Sequence, residues 1–464
     1  MKENKRAAFL SLGCKVNEYE TERLKESFLA AGYEIVLFSE QADVYVVNTC
    51  TVTAEADRKS RQMLRRAKKE NPDAVIVCTG CFSESAIKKL DQDQVFSETG
   101  ADIIAGNAAK SDIVALVKEY LIKRERIVSL PDINEKGLSY ERTDISTDGK
   151  VLDETNERVR AFLKIQDGCD RFCSYCLIPY ARGRSRSRDI EAIVSEAKEF
   201  FANGKKEIVF TGINISSYRG PSGESLFDAA EAVCDAIEGL SDGEKFRLRL
   251  GSLEPNSVTQ EEIKRLSKKG SICPHFHLSL QSGSDSVLQR MNRHYSTEGF
   301  LTSVKILREY FDDPAITADI ICGFPGETEK EFEETFLFAK KVGFAKIHVF
   351  PFSAREGTKA FSMDGQVKKS VKLYRTGKLI ELQDALRDEY IKRQEGREST
   401  VLIEEKEMAG STCFFSGYTE RYIRAYIPLE NAPDSLSPGC MVKGVTGRRK
   451  GNDCLIIDKD FIIL

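Results

Sequence analysis

The sequence predicts an α/β protein in three modules: an open parallel sheet with crossover helices, a partial (β/α)6 barrel, and a small all-β barrel. Three observations carry that expectation. Over residues 5–140, short apolar runs alternate with amphipathic stretches, the pattern of a parallel sheet. Over residues 155–390, six apolar runs recur with amphipathic stretches between them, fewer than a closed barrel needs. Over residues 397–464, the pattern changes to short strands broken by Gly, Asn and Pro.

Bulk properties narrow the class. A chain of 464 residues has room for about three domains. Hydrophobic content of 41% with 31% charged residues fits a globular chain and excludes a disordered one. A net charge of −4 does not advertise nucleic-acid binding, so an RNA site must be a local patch. Thirteen scattered cysteines argue against a disulfide framework and for metal or cluster ligands in a reducing compartment. The apolar run Ala7 to Leu12 is too short for a signal-peptide core, and no run approaches the ~18 apolar residues of a membrane span. A cytoplasmic protein with no membrane segment is expected.

In the first module, Ala7 to Leu12 reads as a buried strand that stops at Gly13-Cys14. Asn17 to Gly32 follows as a helix with Leu24, Phe28 and Ala31 on one face. Val44 to Val47 and Ala74 to Cys78 are further strands, leading to Asn48-Thr49-Cys50 and Thr79-Gly80-Cys81. Parallel strands point one way, and ligands gather beyond their carboxyl ends. Cys14, Cys50 and Cys81 are therefore expected to converge as a three-thiol site; three unrelated core thiols are the alternative. Cys78 lies within a strand and reads as a core thiol. Arg58, Arg61, Arg65 and Lys68 share one helical face, which suits a phosphate backbone or is simply solvated.

Asn134 to Arg158 is polar and aperiodic, a linker. Arg160 to Gln166 opens the second module as a strand and leads into Cys169-Asp170-Arg171-Phe172-Cys173-Ser174-Tyr175-Cys176. This is C-x3-C-x2-C with an aromatic before the last cysteine. Three thiolates so close can hold three irons of a cubane, and with no fourth ligand nearby one iron stays open to a small molecule. A zinc site would fill four positions, usually from paired C-x2-C hooks, and the three-residue gap does not suit one. Arg182, Arg184, Arg186 and Arg188 then alternate with small residues. In an extended segment all four would share a side able to clamp phosphates.

Later strands are expected at Glu207 to Thr211, Lys245 to Leu250, His275 to Leu280, Ala315 to Cys322 and Lys346 to Phe350. Barrel function concentrates at carboxyl strand ends, where Gly212, Asn214, Ser252, Glu254, Gln281, Asp319 and Gly323 stand. The glycines permit close backbone approach. The polar residues are candidate cofactor or base contacts, or equally turn and capping residues. Arg293 and Arg355 are candidate partners of carboxylates or phosphates. His275 and His277 have no third nitrogen ligand nearby and read as plain barrel residues. Cys234, Cys273 and Cys322 read as core. In the last module, strands are expected at Thr400 to Glu404, Cys413 to Tyr418, Ile423 to Ile427, Met441 to Thr446 and Cys454 to Ile457. There the basic group Arg448-Arg449-Lys450 and the rings of Tyr418, Tyr422 and Tyr426 offer means of contacting RNA; a plain packing module is the alternative.

These motifs carry a resemblance. The loop from Cys169 to Cys176 resembles the signature of radical S-adenosylmethionine enzymes. Ser11-Leu12-Gly13-Cys14-Lys15-Val16-Asn17, Asn48-Thr49-Cys50 and Gly80-Cys81 are similar to the N-terminal domain of the methylthiotransferases, and the segments after the central strands are similar to that family too. The last module resembles the TRAM domain, a small RNA-binding β-barrel. The resemblance implies two [4Fe-4S] clusters, one on Cys169, Cys173 and Cys176 that binds S-adenosylmethionine and releases a 5′-deoxyadenosyl radical. The other, on Cys14, Cys50 and Cys81, carries the sulfur. It further implies cofactor contacts among Tyr175, Gly212, Asn214, Ser252, Glu254, Gln281 and Asp319. RNA contacts are implied among Arg58, Arg61, Arg65, Arg182, Arg184, Arg186, Arg188, Arg448, Arg449 and Lys450.

The implied reaction inserts a methylthio group at an unactivated aromatic C–H, which resists nucleophiles, so the radical is a chemical need that the cofactor meets. Gly-Cys-Lys-Val-Asn is similar to the branch acting at C2 of N6-threonylcarbamoyladenosine, the tRNA base 3′ of the anticodon. Isopentenyladenosine in tRNA, a ribosomal-protein aspartate, and a non-catalytic iron–sulfur RNA-binding protein are the alternatives. The expected partners are tRNA and an electron donor such as flavodoxin or ferredoxin with its reductase.

Overall fold

The computed structural model describes residues 5–87, 91–134, 158–240, 244–409, 412–450, 454–457 and 461–464. The linker expected from Asn134 to Arg158 lies almost wholly outside them. The described residues form two compact units. One takes those of 1–157 together with 166–188 and 353–361; the other takes 158–165, 189–352 and 362–464.

The first unit is built on a six-stranded parallel sheet in the order Glu34–Val36, Arg6–Ser11, Val44–Thr49, Val75–Gly80, Ile103–Ala105, Ile127–Ser129. Helices cover both faces, which is why the central strands are apolar almost throughout. Tyr45, Val47 and Ile76 pack with Leu64, Ala67 and Phe96 on one face. Val44, Val46 and Val77 pack with Leu24, Phe28, Ile113 and Val117 on the other. Thr53 caps helix Ala54–Glu70 by accepting from the Ala56 N–H, with Glu55 and Asp57 in the first turn and Lys68 and Lys69 in the last. The strand order reverses between Arg6–Ser11 and Val44–Thr49. In such sheets the crevice beyond that reversal is where ligands sit.

The second unit carries parallel strands in two groups. Arg247–Arg249, Glu207–Thr211 and Arg160–Lys164 form one; Ser252–Leu253, His275–Gln281, Ala315–Cys322 and Lys346–Pro351 form the other. A single bridge between Leu248 and Ile272 joins them. The six expected strand positions are therefore all occupied, in an open arrangement. Helices Leu226–Glu238 and Glu329–Val342 start with capping boxes, Ser225 with Asp228 and Thr328 with Glu331. Their apolar faces bury Val233, Ile237, Phe338 and Val342 in one core with Phe276, Leu278, Ala318 and Ile320 of the strands. The alternate residues His277, Asp319 and His348 thus lie on the strand face turned away from the helices.

The last 67 or so residues form one sheet of seven strands, running from Arg448–Lys450 at one edge to Ile462–Ile463 at the other. The expected small barrel is not closed among the described residues: no pairing joins those edge strands. Its core includes Val401, Ile403, Phe415 and Ile427 and continues into Tyr390, Ile391 and Ala315.

Beneath the central strands, Glu207 is fully buried and accepts from Nε of both Arg247 and Arg249, the latter at 2.8 Å. Arg247 and Arg249 donate onward to the C=O groups of Thr400, Tyr418, Glu420 and Thr419. The Tyr418 and Tyr422 rings stack at 4.7 Å, with Arg160 over both and Arg249 over Tyr422. These two tyrosines, expected as RNA-stacking faces, are instead spent inside the unit, because the sheet packs their face on the barrel floor. No helix is long and apolar enough to cross a membrane among the described residues.

Candidate metal centres

Both cysteine triads belong to the first unit. Cys14 is the N-cap of helix Lys15–Ala30, Cys50 follows strand Val44–Thr49, and Cys81 opens helix Cys81–Ile87 after strand Val75–Gly80. The first two flank the reversal of strand order, so the sheet itself brings them together. The thiols are close enough for their charges to interact pairwise. Burial raises the Cys14 thiol, an effect that Arg182 opposes, and pushes Cys50 up to about 11. Metal capture would therefore release protons, as cluster thiolates form only on binding.

Two glycines make the approach possible. Gly13 has φ +100°, and a Cβ there would lie 2.6 Å from Cys50 Sγ. Gly80 has φ +100°, and its Cβ would lie 2.5 Å from the Thr49 carbonyl oxygen. Any side chain would push the thiols apart. Asn17, the last residue of Gly-Cys-Lys-Val-Asn, ties the strand ends: its Nδ2 donates to Leu12 O at 2.7 Å and Thr49 O at 2.9 Å. A donor set of three sulfurs fits a [4Fe-4S] cluster with one open iron. Cys78 points into the core, fully buried, its thiol pushed up to about 12 by burial. Cys78→Ala is expected to leave the iron content of the protein unchanged, as measured by iron analysis after reconstitution.

The second triad is local. Gly168 turns the chain at φ +69°, where a Cβ would lie 1.9 Å from Arg184 O. The Cys169 N–H donates to Gly183 O at 3.1 Å, Cys176 N–H to Cys173 O at 3.0 Å, and Ile178 N–H to Cys176 Sγ at 3.4 Å. Ser174 O accepts from Ala360 N–H at 2.7 Å. The three cysteines are half-buried, as is Tyr175, so a cluster here would be held by protein yet open to a small molecule. That spacing and exposure fit the second cluster.

The arginines after this loop do not share a side. Ile178–Arg182 is a helix, and only Arg186–Ser187 is a strand. Arg182 is fully buried, contrary to its expected RNA contact. Arg188 is buried beside the Tyr19 hydroxyl, and Arg186 is mostly buried against Asp167 at 3.2 Å. Only Arg184 stays exposed, paired with Asp170 and lying over the Phe172 ring. The expected phosphate clamp of four is thus replaced by internal pairing. On helix Ala54–Glu70, Arg58 and Arg65 are exposed and Arg61 lies over the Phe82 ring. The backbone of Arg448, Arg449 and Lys450 forms an edge strand; their side chains lie outside the described residues.

Among the expected cofactor contacts, Gly212 is half-buried, Asn214 is buried, and Ser252 is exposed. Glu254 is buried, with its N–H donating to Ser216 Oγ at 2.8 Å and its carboxylate 3.9 Å from Arg293. Gln281 has φ +68° at an irregularity in the strand register. Asp319 lies 3.3 Å from His277 Nε2, while His277 Nδ1 meets Thr317 Oγ1 at 3.0 Å. His348, paired in register with Asp319 on the next strand, completes a group whose ligand atoms lie within 4.8 Å of one another. The sequence offered no third nitrogen beside His275 and His277; strand register instead gives His277 one further nitrogen, of His348, together with the Asp319 carboxylate, and leaves His275 out. Burial, with Lys346 adding to it, lowers His348 from its ordinary range, and a nearby ammonium opposes a cation there. Arg355 binds Asp57 and Thr51 of its own unit. Cys234, Cys273 and Cys322 are buried, as expected.

Residues 163–339 match the Radical SAM superfamily, and residues 6–104 match the family described as Uncharacterized protein family UPF0004. A solved radical S-adenosylmethionine methyltransferase of Kitasatospora setae, with cobalamin and a [4Fe-4S] cluster bound, shares the fold at a TM-score of 0.56 and 13% identity, over 77% of this chain and 74% of that one. The class is a radical S-adenosylmethionine protein with an additional N-terminal sheet domain. The threonylcarbamoyladenosine tRNA methylthiotransferase MtaB of Bacillus subtilis is 40% identical over 90% of this chain and 89% of its own length. Its namesake in Aquifex aeolicus is 37% identical over 86% and 93%. A tRNA-2-methylthio-N(6)-dimethylallyladenosine synthase of Clostridium novyi is 34% identical over 86% of each chain. The chain belongs to the tRNA methylthiotransferase family, whose members use S-adenosylmethionine and [4Fe-4S] clusters.

Proposed function

We propose that this protein adds a methylthio group to C2 of N6-threonylcarbamoyladenosine in tRNA, using Cys169, Cys173 and Cys176 for the radical-generating cluster and Cys14, Cys50 and Cys81 for the auxiliary one. The observation that carries this is the convergence of Cys14, Cys50 and Cys81 at the reversal of strand order, in a chain 40% identical to a relative named for that reaction. Bound there, the clusters and S-adenosylmethionine supply a deoxyadenosyl radical and a methylated sulfur. The protein's own part is to hold the thiols together through Gly13, Gly80 and Asn17 and to orient cofactor and base. Asn214, Glu254, Gln281 and Asp319, with Tyr175, Gly212 and Ser252, are the proposed contacts.

The modules 5–140, 155–390 and 397–464 then divide the work as sulfur donor, radical core and RNA-contacting TRAM-like sheet, in a cytoplasmic enzyme reduced by a flavodoxin- or ferredoxin-type donor. The exposed arginines of helix Ala54–Glu70 suit tRNA phosphates. Arg58→Ala with Arg65→Ala is expected to weaken tRNA binding and lower the salt slope by about two, about one per lost phosphate contact, with iron content intact. The salt dependence of tRNA affinity measures this.

Mass spectrometry of tRNA nucleosides from a strain lacking the gene tests the substrate. Methylthiolated threonylcarbamoyladenosine should vanish, its unmethylthiolated precursor should accumulate, and the gene should restore the product. Persistence of that nucleoside with loss of methylthio-isopentenyladenosine would transfer the assignment to the other branch. Release of deoxyadenosine from the reduced protein separates both from a non-catalytic RNA-binding protein.

A further inference from the structure

Arg182 is among the largest fully buried side chains of the protein, and within the first unit its guanidinium is committed at every nitrogen. Nε donates to Cys81 Sγ at 3.2 Å. Nη1 donates to Glu20 at 2.7 Å and to Asp167 at 3.2 Å, and Nη2 to Asn17 Oδ1 at 2.6 Å and Glu20 at 3.0 Å. The residue ends the short helix after Cys176. Its own carbonyl accepts from Arg186, and the next carbonyl, of Gly183, accepts from the Cys169 N–H. One side chain thus runs from the backbone frame of one triad to a sulfur of the other.

Its carboxylate partners are not its alone. Lys110 pairs with Glu20, and Arg186 pairs with Asp167. Both carboxylates that meet Arg182 are thus shared with a further cation, so the guanidinium beside Cys81 is only partly neutralised by them. The Cys14 and Cys50 thiols both feel that guanidinium. A buried positive charge that also donates to a ligand sulfur stabilises a cluster more in its reduced, more negative state, and so raises its potential. Low local dielectric magnifies the effect.

We propose that Arg182 is a positioning residue that raises the reduction potential of the auxiliary cluster through its hydrogen bond to Cys81. The inference rests on Cys14, Cys50 and Cys81 holding that cluster. Its test uses the full chain with Cys169, Cys173 and Cys176 replaced by alanine, so that one cluster remains. That parent is compared with its Arg182→Lys and Arg182→Gln forms after anaerobic reconstitution. Iron content reports on the site, and a redox titration followed by electron paramagnetic resonance reports on Arg182.

The parent should hold about four irons, the content of one cluster. At equal iron, the midpoint should move to more negative potential in Arg182→Gln. Arg182→Lys should fall between the two, since it keeps the charge but not the fixed fork geometry. Equal midpoints at equal iron would overturn the inference while the cluster assignment stands. A parent without iron would overturn the assignment itself. Loss of iron from both Arg182 forms, with their circular dichroism unchanged, would overturn the tuning role and leave Arg182 as an assembly residue.

Discussion

Replacing Cys14, Cys50 and Cys81 together with alanine is expected to abolish methylthio transfer while leaving deoxyadenosine release from S-adenosylmethionine measurable. Iron should fall by about four atoms per chain, one cluster's content. The reason is topological. The three thiols come from three strand ends that share only the crevice at the reversal of strand order. The second triad takes its frame from its own loop: Gly168, the Cys169 N–H to Gly183 bond and the turn from Cys173 to Cys176. Removing sulfurs from one should therefore not dismantle the other. Liquid chromatography of deoxyadenosine, beside nucleoside analysis of the tRNA, separates the two activities. Loss of both together would mean that the triads are not independent sites.

The second large effect lies away from the chemistry. Glu207→Gln should destabilise the second unit by about 3–5 kcal/mol, the usual cost of removing one partner from a buried ionic group. Arg247 and Arg249 would keep their charges in a site from which water is excluded, with the fully buried carboxylate gone. Burial alone would raise the Glu207 carboxyl, but the two arginines outweigh it and hold it far below the ordinary range. Because the folded state depresses this group, its stabilisation is complete above the unfolded carboxyl's ordinary value of about 4.3. It is lost as pH falls through the folded value. The gap in thermal stability between Glu207→Gln and the parent should thus be constant from neutral pH to about pH 5 and close in stronger acid. A gap that widened on acidification would contradict the ion-pair account.

Much of this architecture is legible in the order of residues. Val44–Thr49 and Val75–Gly80 announce themselves as buried parallel strands because both faces are covered, and the cysteine after each inherits its position from that direction. The role of Arg182 is not legible in the same way. Arginines at alternate positions suggest an extended segment, but in the structure Pro179 sits in the first turn of a helix, where a proline is well tolerated. Helical geometry then turns Arg182 inward, away from Arg184. His348 was missed for a different reason. Which residues of His275–Gln281, Ala315–Cys322 and Lys346–Pro351 stand side by side depends on register, which local sequence leaves open. Tyr418 and Tyr422 show the same limit: their rings mark a face, and only packing reveals that the face meets Arg160 and Arg249.

The most direct test counts metal on the intact protein. Purified without oxygen and reconstituted with iron and sulfide, the chain should saturate at about eight irons with a matching sulfide content, two clusters of four. Saturation at about four, or displacement of iron by zinc bound at full coordination, would contradict the assignment of six thiols to two open cages.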